Sequence, residues 1–204
     1  MKDVIVSSLM QLMIVIIATF LLYLFFGRKQ ENYLKWIGLY KPVNYSWVKY
    51  GLVALIAGLI VMLVPLILLQ SVGRMPKEML LTKELSGKGL NFDTILIILF
   101  KAVIQTALSE EMLFRGFIGK RIANKFGYLA GNITQSILFG LPHGLPIILA
   151  YGEYIFGIML IVSAGIVGYM QFQLNEIKAN GSIIPSICIH GLMNIMSFGS
   201  KALG

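Results

Sequence analysis

Charge is what this 204-residue chain has least of: only 13% of its residues are Asp, Glu, Lys or Arg, while 57% are hydrophobic. An average soluble domain carries roughly 25% charged residues. The balance excludes an ordinary water-soluble globule and makes a lipid bilayer the main solvent. Cysteine is nearly absent. Cys188 stands alone, which excludes an internal disulfide and a cysteine-built zinc ribbon and leaves it the role of a small buried filler. Histidine is scarce too, with two in the chain. No long basic face interleaved with aromatics accompanies the net charge of +8, so nucleic acid is not an expected partner. The cations instead sit in short clusters between apolar runs, as membrane-flanking anchors do.

What is there is a series of apolar runs. A bilayer span takes about 20 residues, and six runs fit the chain: residues 4–26, 51–73, 95 to about 120, 127–143, 146–172 and 183–202. The expected fold is all-α, a polytopic transmembrane bundle forming one membrane domain over 1–204. Within it, 95–198 would be a core and 1–94 two accessory spans with polar loops. The first run is too long for a signal-peptide core and lacks a small-residue cleavage site, so it reads as a retained span. The polar stretch 74–94 could form a short surface helix. With the N-terminus outside, the inner loops collect Arg28, Lys29, Lys35, Lys41, Lys49, Lys120, Arg121, Lys125 and Lys178, the orientation that the positive-inside rule favours.

Charged residues inside spans are costly and rarely idle. The third run holds Glu110, Glu111 and Arg115. On an α-helix, residues i and i+4 share a face while neighbours diverge by about 100°. Glu111 therefore pairs with Arg115, and Glu110 points elsewhere, available. His143 follows Pro142 near the end of the fourth run; His190 and Asn194 lie at i and i+4 in the sixth, able to donate two hydrogen bonds to one oxygen. Each has a plain structural reading: a buried ion pair, an interfacial histidine, polar glue between helices. Their coincidence in apolar segments favours function. If the third and fourth helices turn near Gly127, Glu110 lies 17 residues before the turn and His143 16 after it. Both would then sit roughly 25 Å from the turn. The third helix must for this run on through Lys120 to Phe126.

These residues resemble a family: the CAAX-protease and bacteriocin-processing membrane peptidases, or Abi proteins, which include the type II CAAX prenyl endopeptidases. Its pattern of E-E-x-x-x-R, F-x-x-x-H and H-x-x-x-N is matched in order by Glu110, Glu111 and Arg115; Phe139 and His143; and His190 and Asn194. Two departures stand out. Pro142 occupies a position where the family has a small residue, and the connection from Gln171 to Gly181 reads as longer and more polar than usual.

The resemblance implies a membrane-embedded peptidase acting on a peptide or membrane-anchored protein, in a cell membrane and with a bacterial character. Glu110, assisted by His143, would activate a water; Glu111 and Arg115 would orient this pair; His190 and Asn194 would stabilise the oxyanion. No cofactor is expected in this reading. A zinc-dependent alternative would use Glu110, His143 and His190 as ligands. Two further alternatives are a proton or solute path lined by the same groups, and a non-catalytic immunity or scaffold protein of the same fold.

Overall fold

The structure, a computed structural model, describes residues 1–73, 85 and 87–203. Seven helices are found among them: α1 (Lys2–Phe26), α2 (Tyr33–Ile37), α3 (Trp47–Ser71), α4 (Phe92–Phe126), α5 (Tyr128–Tyr151), α6 (Tyr154–Lys178) and α7 (Ile184–Leu203). The bundle is all-α. Five of the helices, α1, α3, α4, α5 and α6, are long and apolar enough to cross a membrane. The sixth expected span corresponds to α7, 20 residues long, which carries the polar positions of the site and falls outside those five. Large apolar side chains face outward, Leu149 being 81% exposed, as lipid-facing surfaces require. The surface helix expected within 74–94 falls largely on residues outside the described ones.

Local signals explain the boundaries. The Asn32 side chain accepts from the Lys35 N–H at the start of α2, and Asn91 does the same for Thr94 at the start of α4, as side-chain N-caps do. Helix α4 runs unbroken to Phe126, the extension that the sequence requires. Gly127, at φ 93°, then reverses the chain in a single residue, a conformation open to glycine. The antiparallel register that follows can be traced in pairs. Ala123 lies against Gly131, Gly119 against Gln135, and the Phe114 and Phe139 rings meet at 5.4 Å.

Three expectations are corrected. The fifth span does not begin at Pro146: α5 passes through both Pro142 and Pro146 and ends at Gly152, φ 68°. A proline removes one N–H from the ladder, and neighbouring packing evidently holds the helix through both. Cys188 is exposed, not a buried filler. The segment after Gln171 is helical to Lys178 rather than an extended connection, and its polar residues are bonded, Asn175 to Ser186 at 2.7 Å and Glu176 to Lys120 at 2.6 Å.

Helices α5 and α6 approach closely because small residues face each other. A Cβ on Gly140 would overlap the carbonyl oxygen of Ile161, and one on Gly144 that of Gly157. Such small-residue seams hold membrane helices together where hydrophobic burial cannot. Gly144→Val is therefore expected to destabilise the bundle by about 1–3 kcal/mol or more, read as a lower thermal midpoint of the detergent-solubilised protein. An unchanged midpoint would show that the seam does not carry this packing.

Candidate active site

Helix α4 is not wound as a plain α-helix. Phe100–Leu108 and Glu111–Gly119 are π-helical, with i→i+5 hydrogen bonds, a winding frequent at functional sites. Hydroxyls follow it: Thr106 donates to the Lys101 carbonyl at 3.0 Å, and Ser109 to that of Ile104 at 3.0 Å. A wider turn means that successive side chains diverge less than on an α-helix. Glu110 stands between the two π-helical segments and forms no ion pair with Arg115, and its Oε2 reaches the same imidazole as Glu111 Oε1.

His190 on α7 is that imidazole. Its Nδ1 lies 2.9 Å from Glu111 Oε1, and its Nε2 lies 3.8 Å from Glu110 Oε2. A carboxylate accepts, so Nδ1 carries the proton. Glu111 and Arg115 form the ion pair that the sequence suggests, Nη1 to Oε1 at 3.3 Å, with both side chains fully buried. This is an ion contact rather than a hydrogen bond. The guanidinium donates instead from Nη2 to Gln171 Oε1 at 2.8 Å and lies 3.8 Å above the centroid of the Phe139 ring. Oε2 of Glu110 and Oε2 of Glu111 are both buried with no hydrogen-bond partner. The Glu110 side chain as a whole is 25% exposed, that of Glu111 0%.

His143 reaches the cluster through Phe139. The two rings meet at 4.7 Å, and Phe139 also meets His190 edge-on at 5.8 Å. His143 Nδ1 lies 2.8 Å from the Phe139 carbonyl oxygen; a carbonyl can only accept, so Nδ1 is protonated and Nε2 keeps its lone pair when the ring is neutral. Among the described residues, Glu110 and His143 make no direct hydrogen bond or ion pair. Asn194 is engaged too, donating from Nδ2 to Thr106 Oγ1 at 2.7 Å, which leaves the second N–H of its amide.

Phe139, His143, His190 and Asn194 line one cleft of about 320 Å³. Its other walls are Leu59, Met62, Leu63 and Leu66 of α3, together with Ala164 and Val167 of α6 and the last turns of α7. The arrangement thus brings together Glu110, Glu111, Arg115 and His190 directly, and sets His143 and Asn194 on the cleft wall beside them. Sequence reasoning missed two partners. Gln171, an amide inside an apolar run, was a readable sign of polar glue, and Thr106 lies one helical turn before Glu110.

A catalytic zinc ion needs three protein ligands converging on one point. Among the described residues, no three His, Cys, Asp or Glu side chains are so placed.

The family model described as type II CAAX prenyl endopeptidase Rce1-like matches residues 92–196, more than half of the chain. The chain belongs to that family. It is a protease family, so this Rce1-like chain is a multi-pass membrane protein of the peptidase class. The match covers α4 to α7 as far as Met196, and so every site residue above. Neither the curated proteins nor the solved structures compared with it give a match.

Removing the amide acceptor tests the network. Gln171→Leu leaves a buried guanidinium short of a partner and is expected to cost about 1–3 kcal/mol, measured as a fall in the unfolding midpoint in detergent. A variant as stable as the wild type would mean that Arg115 is held without Gln171.

Proposed function

We propose that this Rce1-like protein is an intramembrane endopeptidase whose base is Glu110, acting on a water with the help of His143. The observation that carries the proposal is the buried Glu110 Oε2, which has no hydrogen-bond partner and lies beside a cleft with two imidazoles on its wall. A carboxylate oxygen withdrawn from water and left unbonded is expensive. A water held on that oxygen would be the nucleophile. Glu111 Oε2 also lacks a partner, but the Glu111 side chain is 0% exposed and its Oε1 is shared between Arg115 and His190, whereas the Glu110 side chain is 25% exposed. A water can therefore reach Glu110 and not Glu111.

In the reaction, Glu110 takes a proton from the water as its oxygen forms a bond to the scissile carbonyl carbon. His143 Nε2, with its lone pair, accepts a second hydrogen bond from the same water and fixes its direction. The developing oxyanion receives the free N–H of Asn194 and the Nε2–H of His190, which enters the reaction already protonated on both nitrogens between the Glu110 and Glu111 carboxylates. Doubly protonated, His190 would sit as a cation between two carboxylates, and with Arg115 the four groups would sum to zero charge. When the tetrahedral intermediate collapses, the C–N bond breaks and Glu110 returns its proton to the leaving amine.

The substrate is a peptide whose scissile bond lies near the membrane. The family description points to a C-terminal Cys-a-a-X sequence, in which the cysteine carries a prenyl chain. The protein would act in a bacterial cell membrane, with the bilayer as its solvent and no cofactor. A scaffold reading gives no task to a buried carboxylate oxygen beside a cleft with two imidazoles, so the arrangement favours catalysis.

The experiment is peptide hydrolysis by purified protein in lipid nanodiscs. Glu110→Gln is expected to abolish cleavage, and Asn194→Ala to lower kcat by about 10²–10³, as loss of one oxyanion donor does. Cleavage that survives Glu110→Gln would overturn the assignment. Chelator treatment is expected to leave the rate unchanged; loss of activity restored by zinc would replace the glutamate mechanism with a metal-dependent one.

A further inference from the structure

The cleft continues beyond the site along α7. His190, Asn194, Ser197 and Lys201 fall at i, i+4, i+7 and i+11, one face of the helix, and all four line the cleft. Its walls are otherwise largely Leu and Met side chains. Among the described residues, Lys201 is the one ammonium on those walls, no carboxylate lines the cleft, and Lys201 has no ion-pair partner. A half-buried cation at the end of an apolar trough, with no anion of its own, is arranged for a negative charge brought by the occupant.

The spacing says where that charge sits. Asn194 and Lys201 are seven residues apart, an axial rise of about 10.5 Å at 1.5 Å per residue. Three residues of extended peptide span about 10 Å. A peptide with its scissile carbonyl at Asn194 and its chain laid along α7 would therefore bring the end of a three-residue leaving segment to Lys201. Apolar side chains of that segment would meet Met193, Met196 and the Leu residues of α3.

We propose that Lys201 is a specificity-determining residue that pairs with the free C-terminal carboxylate of the substrate, three residues beyond the bond that is cut. The inference rests on the reading of Asn194 and His190 as the oxyanion site. It makes the protein a reader of chain ends, with apolar residues in the trough and a terminal carboxylate at its far end.

The test uses two S-farnesylated peptides of one sequence with an apolar last three residues, one ending in a free acid and one in a carboxamide. The wild type in nanodiscs is expected to prefer the acid by about 10–100-fold in kcat/KM, the worth of a hydrogen bond between charged groups, chiefly through KM. In Lys201→Met, which keeps the apolar stem, the ratio should fall to within about twofold of unity. Equal rates on both peptides in the wild type, or a ratio unchanged by the substitution, would overturn the proposal while leaving the peptidase reading intact. Affinity of the Glu110→Gln protein for both peptides is the second measurement. Tighter binding of the acid, lost when Lys201→Met is added, supports the carboxylate contact even if no peptide is cleaved. Equal affinities would contradict it.

Discussion

A fully buried arginine is the constraint on which the rest of this structure depends. Arg115 has no solvent to hydrate it, and removing a guanidinium from water costs several kcal/mol unless the protein replaces what is lost. Four helices do so together. Glu111, on α4 with Arg115, supplies the counter-charge, Phe139 of α5 the face of its ring, Gln171 of α6 an acceptor, and His190 of α7 is joined through Glu111. Each of these contacts fixes a side chain that would otherwise have several rotamers. Glu111, held by Arg115, sets the proton of His190 on Nδ1 and so turns Nε2 toward Glu110. With Glu111 taking the hydrogen bond at Nδ1, Glu110 keeps only the longer contact at Nε2 and no hydrogen bond at its Oε2.

Backbone proximity makes this convergence possible. Small residues let α5 and α6 approach until carbonyl oxygens lie where a Cβ would be, and a one-residue turn at Gly127 keeps α4 and α5 in register over four turns. That register carries Phe114 to Phe139 and, one turn further, Glu110 to the level of His143. The cleft opens beside the polar network, between α3, α5, α6 and α7, and shares His190 and Asn194 with it. In the proposed mechanism the two surfaces divide the work: the network orients and balances charge, and the cleft binds and aligns peptide.

Much of this was legible in the chain itself. The spans announced themselves by hydropathy, the Glu111–Arg115 pair by i,i+4 spacing, and the turn by Gly127 with charged residues before it. The errors have physical causes. A 3.6-residue period separates the directions of Glu110 and Glu111 but says nothing of His190, the ring on another helix that both carboxylates reach. Two prolines in α5 suggested a boundary that Gly152 supplies instead, because packing against α6 overrides a missing N–H. Gln171 and Thr106 are readable as polar positions in apolar runs, but only the tertiary contacts show that one serves Arg115 and the other Asn194.

Activation of water by Glu110, rather than attack by its own carboxylate, is the central claim, and oxygen labelling under single-turnover conditions tests it most directly. Purified protein in excess over peptide, in water enriched in ¹⁸O, should release a first-turnover product with one ¹⁸O in its new carboxylate and leave Glu110 unlabelled. Label appearing in the Glu110 carboxylate would contradict the account and point to a covalent acyl intermediate.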